Sequence, residues 1–237
     1  MRLLVSVRDE VEARAAVEGG ADIIDAKEPA AGSLGAVSPA VLARIREAVP
    51  QRLKVSAALG DASDEIELAR ALSGVRVPLG YIKLGFRGVS DRARARDLIK
   101  EGMRLAASLP GRPAFIVVAY GDWQQTASLS PAVLAELVAE SSADGLLVDT
   151  AIKDGTTLFD ICRVEDLAAI GRTLARDERL YALGGGLGRD AMPNAWATGA
   201  SVFGVRTAAC DGGRSGSVTV SRVRELAKAL RLARSRA

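Results

Sequence analysis

The lysines of this chain are few, and their scarcity is the first chemical signal. Of 32 basic residues, 26 are Arg and only six are Lys: Lys27, Lys54, Lys83, Lys100, Lys153 and Lys228. Arg does not lose its proton in a protein, whereas Lys can, and only a neutral amine attacks a carbonyl. A chain that draws its general positive charge from Arg keeps Lys most tellingly where Arg will not serve. Carboxylates stand close to two of the six, Asp25 two residues before Lys27 and Asp149 four before Lys153, and Lys83 lies within the short apolar run YIKLGF. There is no His, so proton transfers fall to Lys, Asp, Glu, Tyr or Cys. A His-ligated metal is excluded, and Cys162 and Cys210, with no spacing motif, do not make a zinc site; no metal and no cofactor are expected.

These types fit an amine nucleophile. An unperturbed Lys titrates at about 10.4 and is about 0.1% neutral near pH 7. Bringing it to about 7 takes roughly 4 to 5 kcal/mol of differential interaction. Burial and a second cation push that way, and Asp25 and Asp149 push against it. Which amine is depressed depends on distances the sequence does not contain.

Elements must bring these groups together. Apolar runs of strand length occupy 2–7, 22–26, 53–57, 80–84, 113–119, 144–149, 180–183 and 201–205. Helical patterns lie between or after them at 9–18, 38–48, 63–73, 90–108, 130–141, 164–176, 190–198 and 217–232. Ser38-Pro39 and Ser130-Pro131 suit an N-cap followed by the first helical position. Eight alternating βα units predict a parallel sheet. Eight such units in 237 residues are the count and size of a single-domain (β/α)8, or TIM, barrel spanning 1–237. A doubly wound open sheet is the alternative. No composition shift marks a second domain.

In a barrel the reactive rim is at the C-terminal ends of the strands. Asp25 and Lys27 stand there after the second strand, Lys83 on the fourth, Asp149 and Lys153 after the sixth. Tyr120-Gly-Asp122 follows the fifth. Lys54 begins the third strand, at the opposite end; Lys100 and Lys228 fall in helices. Asp25 and Lys27 share a face, as do Tyr81 and Lys83. If these faces point inward, Lys27, Lys83 and Asp149 converge on one cavity. A plainer reading stands beside each residue. Lys27 and Asp25 could be a structural ion pair, Lys83 could turn outward, and Asp149 could only orient a lysine. Asp122 could merely cap a loop, and Lys153 could be solvated.

The run LGGGLG at 183–188, with GVRTA at 204–208, occupies the place where many barrels hold a phosphate. Backbone N–H groups in a Gly-rich turn approach phosphate oxygens closely. Gly184, Gly185, Gly186, Gly204 and Arg206 are therefore expected to hold a substrate phosphate; a tight strand-to-helix turn is the alternative. No dinucleotide G-x-G-x-x-G register fits. Asp211-Gly-Gly-Arg-Ser-Gly216 reads as a mobile loop or a weaker phosphate loop. From the residues alone, the chain acts on a phosphorylated carbonyl compound through a lysine Schiff base.

Composition bounds the rest. Hydrophobic residues make up 49% and aromatics 4%, so the core is aliphatic. The net charge of +3 comes from Arg-rich runs at 92–96 and 222–235. They lack the interleaved aromatics of a nucleic-acid surface and read as solvated helix faces. No run reaches the ~20 apolar residues of a membrane span, and the start MRLLVSVRDE reads as a strand rather than a leader. A reduced, cytoplasmic protein is expected. Association into a homo-oligomer is left open.

With these residues in view, a resemblance is specific. The segment GGADIIDAKEPAAGSLGAV (19–37), with LLVSVRDEVEARAAVEGGADIIDAKEP, YIKLGF and LLVDTAIKDGTTLFD in order, resembles the (5-formylfuran-3-yl)methyl phosphate synthase family over essentially the whole chain. The resemblance implies a (β/α)8 barrel lyase that condenses two molecules of glyceraldehyde 3-phosphate, with loss of water and one phosphate, to a furan aldehyde for methanofuran. It also implies roles: Lys27 as Schiff-base lysine, Lys83 as acid/base lysine, with Asp149, Lys153 and Asp25 matching further family positions. The family occurs in methanogenic archaea and methylotrophic bacteria, and the Arg- and Ala-rich composition points to the methylotroph branch. The chemical rival is a class I aldolase or phosphosugar isomerase. The non-enzymatic rival is a barrel that only binds triose phosphate.

Overall fold

The apolar runs become strands because both of their faces find apolar cover, which is the condition for a parallel sheet. In the computed structural model, which describes residues 1–234, eight of them form the barrel: β1 (Arg2–Val7), β2 (Ile23–Ala26), β3 (Lys54–Asp61), β4 (Tyr81–Gly85), β5 (Ala114–Tyr120), β6 (Gly145–Asp149), β7 (Leu180–Leu183) and β8 (Val202–Val205). Each pairs in parallel with its neighbour in sequence, and β8 pairs with β1, so the sheet is closed. The (β/α)8 barrel is thus the observed fold, and the open sheet is excluded. No edge strand is left in the barrel.

The helices are α1 (Glu10–Gly19), α2 (Pro39–Ala48), α3 (Glu65–Ser73), α4 (Arg92–Ala106), α5 (Pro131–Glu140), the single turn α6 (Leu158–Ile161), α7 (Val164–Ala175), α8 (Met192–Ala197) and α9 (Val220–Arg234). Their starts are written in short polar side chains. Asp9, Ser38, Asp64, Asp91 and Ser130 each accept the N–H of the residue three further on, satisfying a donor the helix leaves unpaired.

Two apolar layers result. Inside the barrel, Ile23, Ala58, Ile116, Val118, Leu147 and Ala182 pack together. Outside it, Val5, Ile24, Val55, Ile82, Val117 and Leu146 meet the helices. This two-residue alternation determines which side chains can reach the barrel interior.

Two elements depart from the sequence expectation. β3 runs on to Asp61, past the expected end at 57, through a register shift between Ala58 and Asp61. Gly60, at φ 89°, supplies the left-handed turn there. The segment read as a mobile loop or a weaker phosphate loop is the turn of a small hairpin, β9 (Cys210–Asp211) paired antiparallel with β10 (Ser217–Val218). Among the described residues no helix is long and apolar enough to cross a membrane. Cys162 and Cys210 are free thiols.

Candidate active site

The inward positions of β1 to β8 are apolar at the bottom of the barrel and turn polar toward the C-terminal rim. Ser6, Asp25, Ser56 and Lys83 are all buried there. Ser6, Asp25 and Ser56 share one row, because Ser6 registers with Asp25 and Asp25 with Ser56; Lys83 registers with Ala58, one inward position further on. A pocket opens at that rim, in the place where a barrel takes a small ligand. Lys27, Lys83, Asp149 and Lys153 line it together with Gly184 to Gly186.

The charges are arranged in pairs. Lys83 Nζ lies 2.7 Å from Asp25 Oδ2, and Ser6 Oγ donates to the same oxygen at 2.8 Å. Lys153 Nζ donates to Asp149 Oδ1 at 2.8 Å and to Thr150 Oγ1 at 2.9 Å, while the Thr150 N–H donates to Asp149 Oδ1 at 2.7 Å. Lys27 is different. It is 6% exposed, and its amine has no hydrogen-bond or ion-pair partner among the described residues. Burial pulls it down from the usual lysine value to about 8; Asp149 and Asp25 resist this, and Lys83 and Lys153 assist it. At about 8, roughly a tenth of the amine is neutral at pH 7, against about a thousandth or less for an ordinary lysine. Burial would raise Asp149, but Lys153, Lys27 and its hydrogen bonds outweigh that and hold it down at about 2. Asp149 is therefore a fixed carboxylate.

The sequence-derived residues fall as follows. Asp25 pairs with Lys83 rather than with Lys27, and Lys83 points inward. Asp122 is buried and accepts the N–H groups of Ala151 and Ile152, each at 2.8 Å, so it caps the loop between Asp149 and Lys153. Tyr120 is buried outside the pocket lining, its hydroxyl donating to Asp61 at 2.8 Å. Burial and the Asp61 carboxylate push that phenol far up. Gly184 has a packing reason: a Cβ there would stand 3.2 Å from the Asp149 carboxyl carbon. Gly185 and Gly186 take left-handed backbone, φ 92° and 68°, and their N–H groups have no partner among the described residues. Gly204 lines the same pocket.

Arg206 lines it too, but its donors are spent elsewhere. The guanidinium pairs with the buried Glu12 and donates to the carbonyls of Ser6, Arg214 and Gly216. These bonds engage all of its N–H groups. The sequence reading did not anticipate Glu12, Ser6, Ser56 or Thr150, and it met Arg214 only within the 211–216 run. Glu12 carried one signal: it shares a helix with the buried Ala13 and Ala16, where an acid needs a partner.

The sequence model of the 4-HFC-P synthase family matches residues 3–227. The chain belongs to that family. Similar relatives bear the name (5-formylfuran-3-yl)methyl phosphate synthase. The protein of Methanothermobacter thermautotrophicus is 39% identical, covering 97% of this chain and 99% of its own. That of Archaeoglobus fulgidus is 37% identical, covering 97% and 99%. That of Methanocaldococcus jannaschii is 36% identical, covering 98% of each. The chain is accordingly an enzyme of the synthase class. Solved structures share the fold at low identity. Phosphoribosyl anthranilate isomerase from Thermus thermophilus superposes with a TM-score of 0.63 at 15% identity, covering 98% of this chain and 99% of its own. A 3-hexulose-6-phosphate synthase gives 0.58 at 17%, with the same coverage.

Proposed function

We propose that this enzyme condenses two molecules of glyceraldehyde 3-phosphate to (5-formylfuran-3-yl)methyl phosphate through a Schiff base on Lys27, in the biosynthesis of a methanofuran-type cofactor. The observation that carries this reading is the buried, unpartnered Lys27 amine among lysines already paired to carboxylates. Neutral Lys27 attacks the carbonyl carbon of one triose phosphate, and water leaves as the imine forms. The protonated imine draws electrons from the adjacent carbon, so its proton becomes removable. Lys83, held by Asp25, shuttles that proton. The resulting carbon nucleophile adds to the carbonyl of the second triose phosphate. Lys153, fixed by Asp149 and Thr150, stabilises oxygen charge as it develops. Loss of one phosphate and two waters in all closes an aromatic furan, and hydrolysis of the imine returns the amine.

The relatives' shared name supports the product. The test is intact mass after borohydride treatment, with and without glyceraldehyde 3-phosphate. A single reduced adduct is expected, absent in Lys27→Arg, whose furan formation should fall by about 10³-fold or more, the scale for losing a covalent nucleophile. An active enzyme that yields no adduct would end the Schiff-base reading. An adduct without any near-ultraviolet furan product would favour an aldolase or isomerase instead.

A further inference from the structure

The proposed substrate brings phosphate into the pocket, and the charges there are unevenly matched. Lys83 has Asp25, Lys153 has Asp149, and Arg206 has Glu12. One other cation lines the pocket beside Lys27, and that is Arg214. No carboxylate pairs with it among the described residues. It rises from the turn between β9 and β10, and its Nη2 donates to the carbonyls of Gly32 at 2.8 Å and Pro29 at 3.3 Å. Those carbonyls belong to the loop that follows Lys27. Its Nε and Nη1 have no hydrogen-bond partner among the described residues.

The turn that carries Arg214 is held from beneath. Arg206 donates to the carbonyls of Arg214 and Gly216, Arg8 donates to the carbonyl of Ser215 and the hydroxyl of Ser217, and Glu12 accepts the Val218 N–H. A guanidinium with one nitrogen anchored and two nitrogens, Nε and Nη1, left to donate, on a turn braced by a buried ion pair, is a prepared site for a tetrahedral oxyanion. It is half-buried, and the nearby Asp149 offsets only part of the cost of burying its charge.

We infer that Arg214 binds the phosphate group of the triose phosphate, and that Glu12 and Arg206 are positioning residues that set the turn on which it stands. The inference rests on the triose-phosphate reading above for the identity of the substrate, and on the charge pattern for the site itself.

Two measurements on Arg214→Gln and Arg214→Lys test it. The first is furan formation against glyceraldehyde 3-phosphate concentration, with borohydride trapping of unphosphorylated glyceraldehyde in parallel. Arg214→Gln is expected to raise the half-saturating triose phosphate concentration by about 10- to 100-fold, the range for a charge-assisted hydrogen bond. Trapping of glyceraldehyde should be unaltered, and Arg214→Lys should recover part of the loss. Equal losses with both aldehydes, or unchanged saturation, would overturn the assignment. The second measurement needs no catalysis: the thermal shift produced by inorganic phosphate. It should be present in the wild type and lost in Arg214→Gln; equal shifts in both would overturn the site. A wild type that is stabilised by phosphate yet forms neither adduct nor furan would sink the triose-phosphate reading while leaving Arg214 as an anion site.

Discussion

Lys27 lies between charges of both signs, and its protonation responds to each. Asp149 raises its pKa and Lys153 lowers it, while burial is the largest influence and keeps it near 8. Imine formation needs the neutral amine, so its rate should climb with pH and level off above about 8. Two substitutions should move that limb in opposite directions. Asp149→Asn removes the carboxylate that favours the charged amine, and the limb should shift to lower pH. Lys153→Met removes a neighbouring cation, and the limb should shift to higher pH. Initial rates of adduct trapping across pH 6 to 10 measure both, even where turnover is slow. Shifts in the same direction would show that the limb belongs to another group. The chemistry types were legible in the sequence, because six lysines among 32 basic residues already mark lysine as special. Which amine is unpaired was not legible, because Asp25 pairs with Lys83 two strands away and not with Lys27 just past the end of its own strand.

The element that fixes Lys153 is the loop after β6, and its shape depends on a carboxylate from the loop after β5. Asp122 accepts two consecutive backbone N–H groups there. Asp122→Ala would leave both N–H groups without this acceptor, the one of Ala151 buried, at about 1–3 kcal/mol. The denaturation midpoint should fall accordingly, and kcat/KM should drop as Lys153 loses its fixed place. Asp122→Asn keeps one acceptor oxygen and should lose less of each. A full-stability, low-activity Asp122→Ala would instead make this side chain a direct participant in the reaction. Sequence pattern located these strands to within a few residues, since apolar runs between turn residues mark them. It did not find the β9–β10 hairpin, whose strands are two residues each, too short for any periodicity to register.

At the scale of the molecule, the Glu12–Arg206 pair joins α1, the end of β8, the Ser6 carbonyl of β1 and the hairpin. It sits at the seam where the last strand meets the first. Both side chains are 3% exposed. Removing one member leaves the other charged and buried, so Glu12→Gln or Arg206→Met alone should cost about 3–5 kcal/mol, read from urea unfolding. The double replacement should cost clearly less than the sum of the two, because no stranded charge remains. Additive losses would mean that the two act separately.

By itself the sequence determined the eight-unit barrel, the depth of its aliphatic core and the rim on which Lys27, Lys83, Asp149 and Lys153 stand. Those follow from local alternation and from chain order, which every short segment carries. Only the tertiary structure decided the pairings: Asp25 with Lys83, Asp149 with Lys153, and Glu12 with Arg206. Arg206 and Arg214 are a few residues apart, of one type and both on the pocket wall, yet one is spent on a seam and the other keeps two nitrogens without a partner among the described residues. Barrel closure makes that difference. It brings α1 against the end of β8, and an ion pair between groups 194 residues apart has no trace in any local pattern.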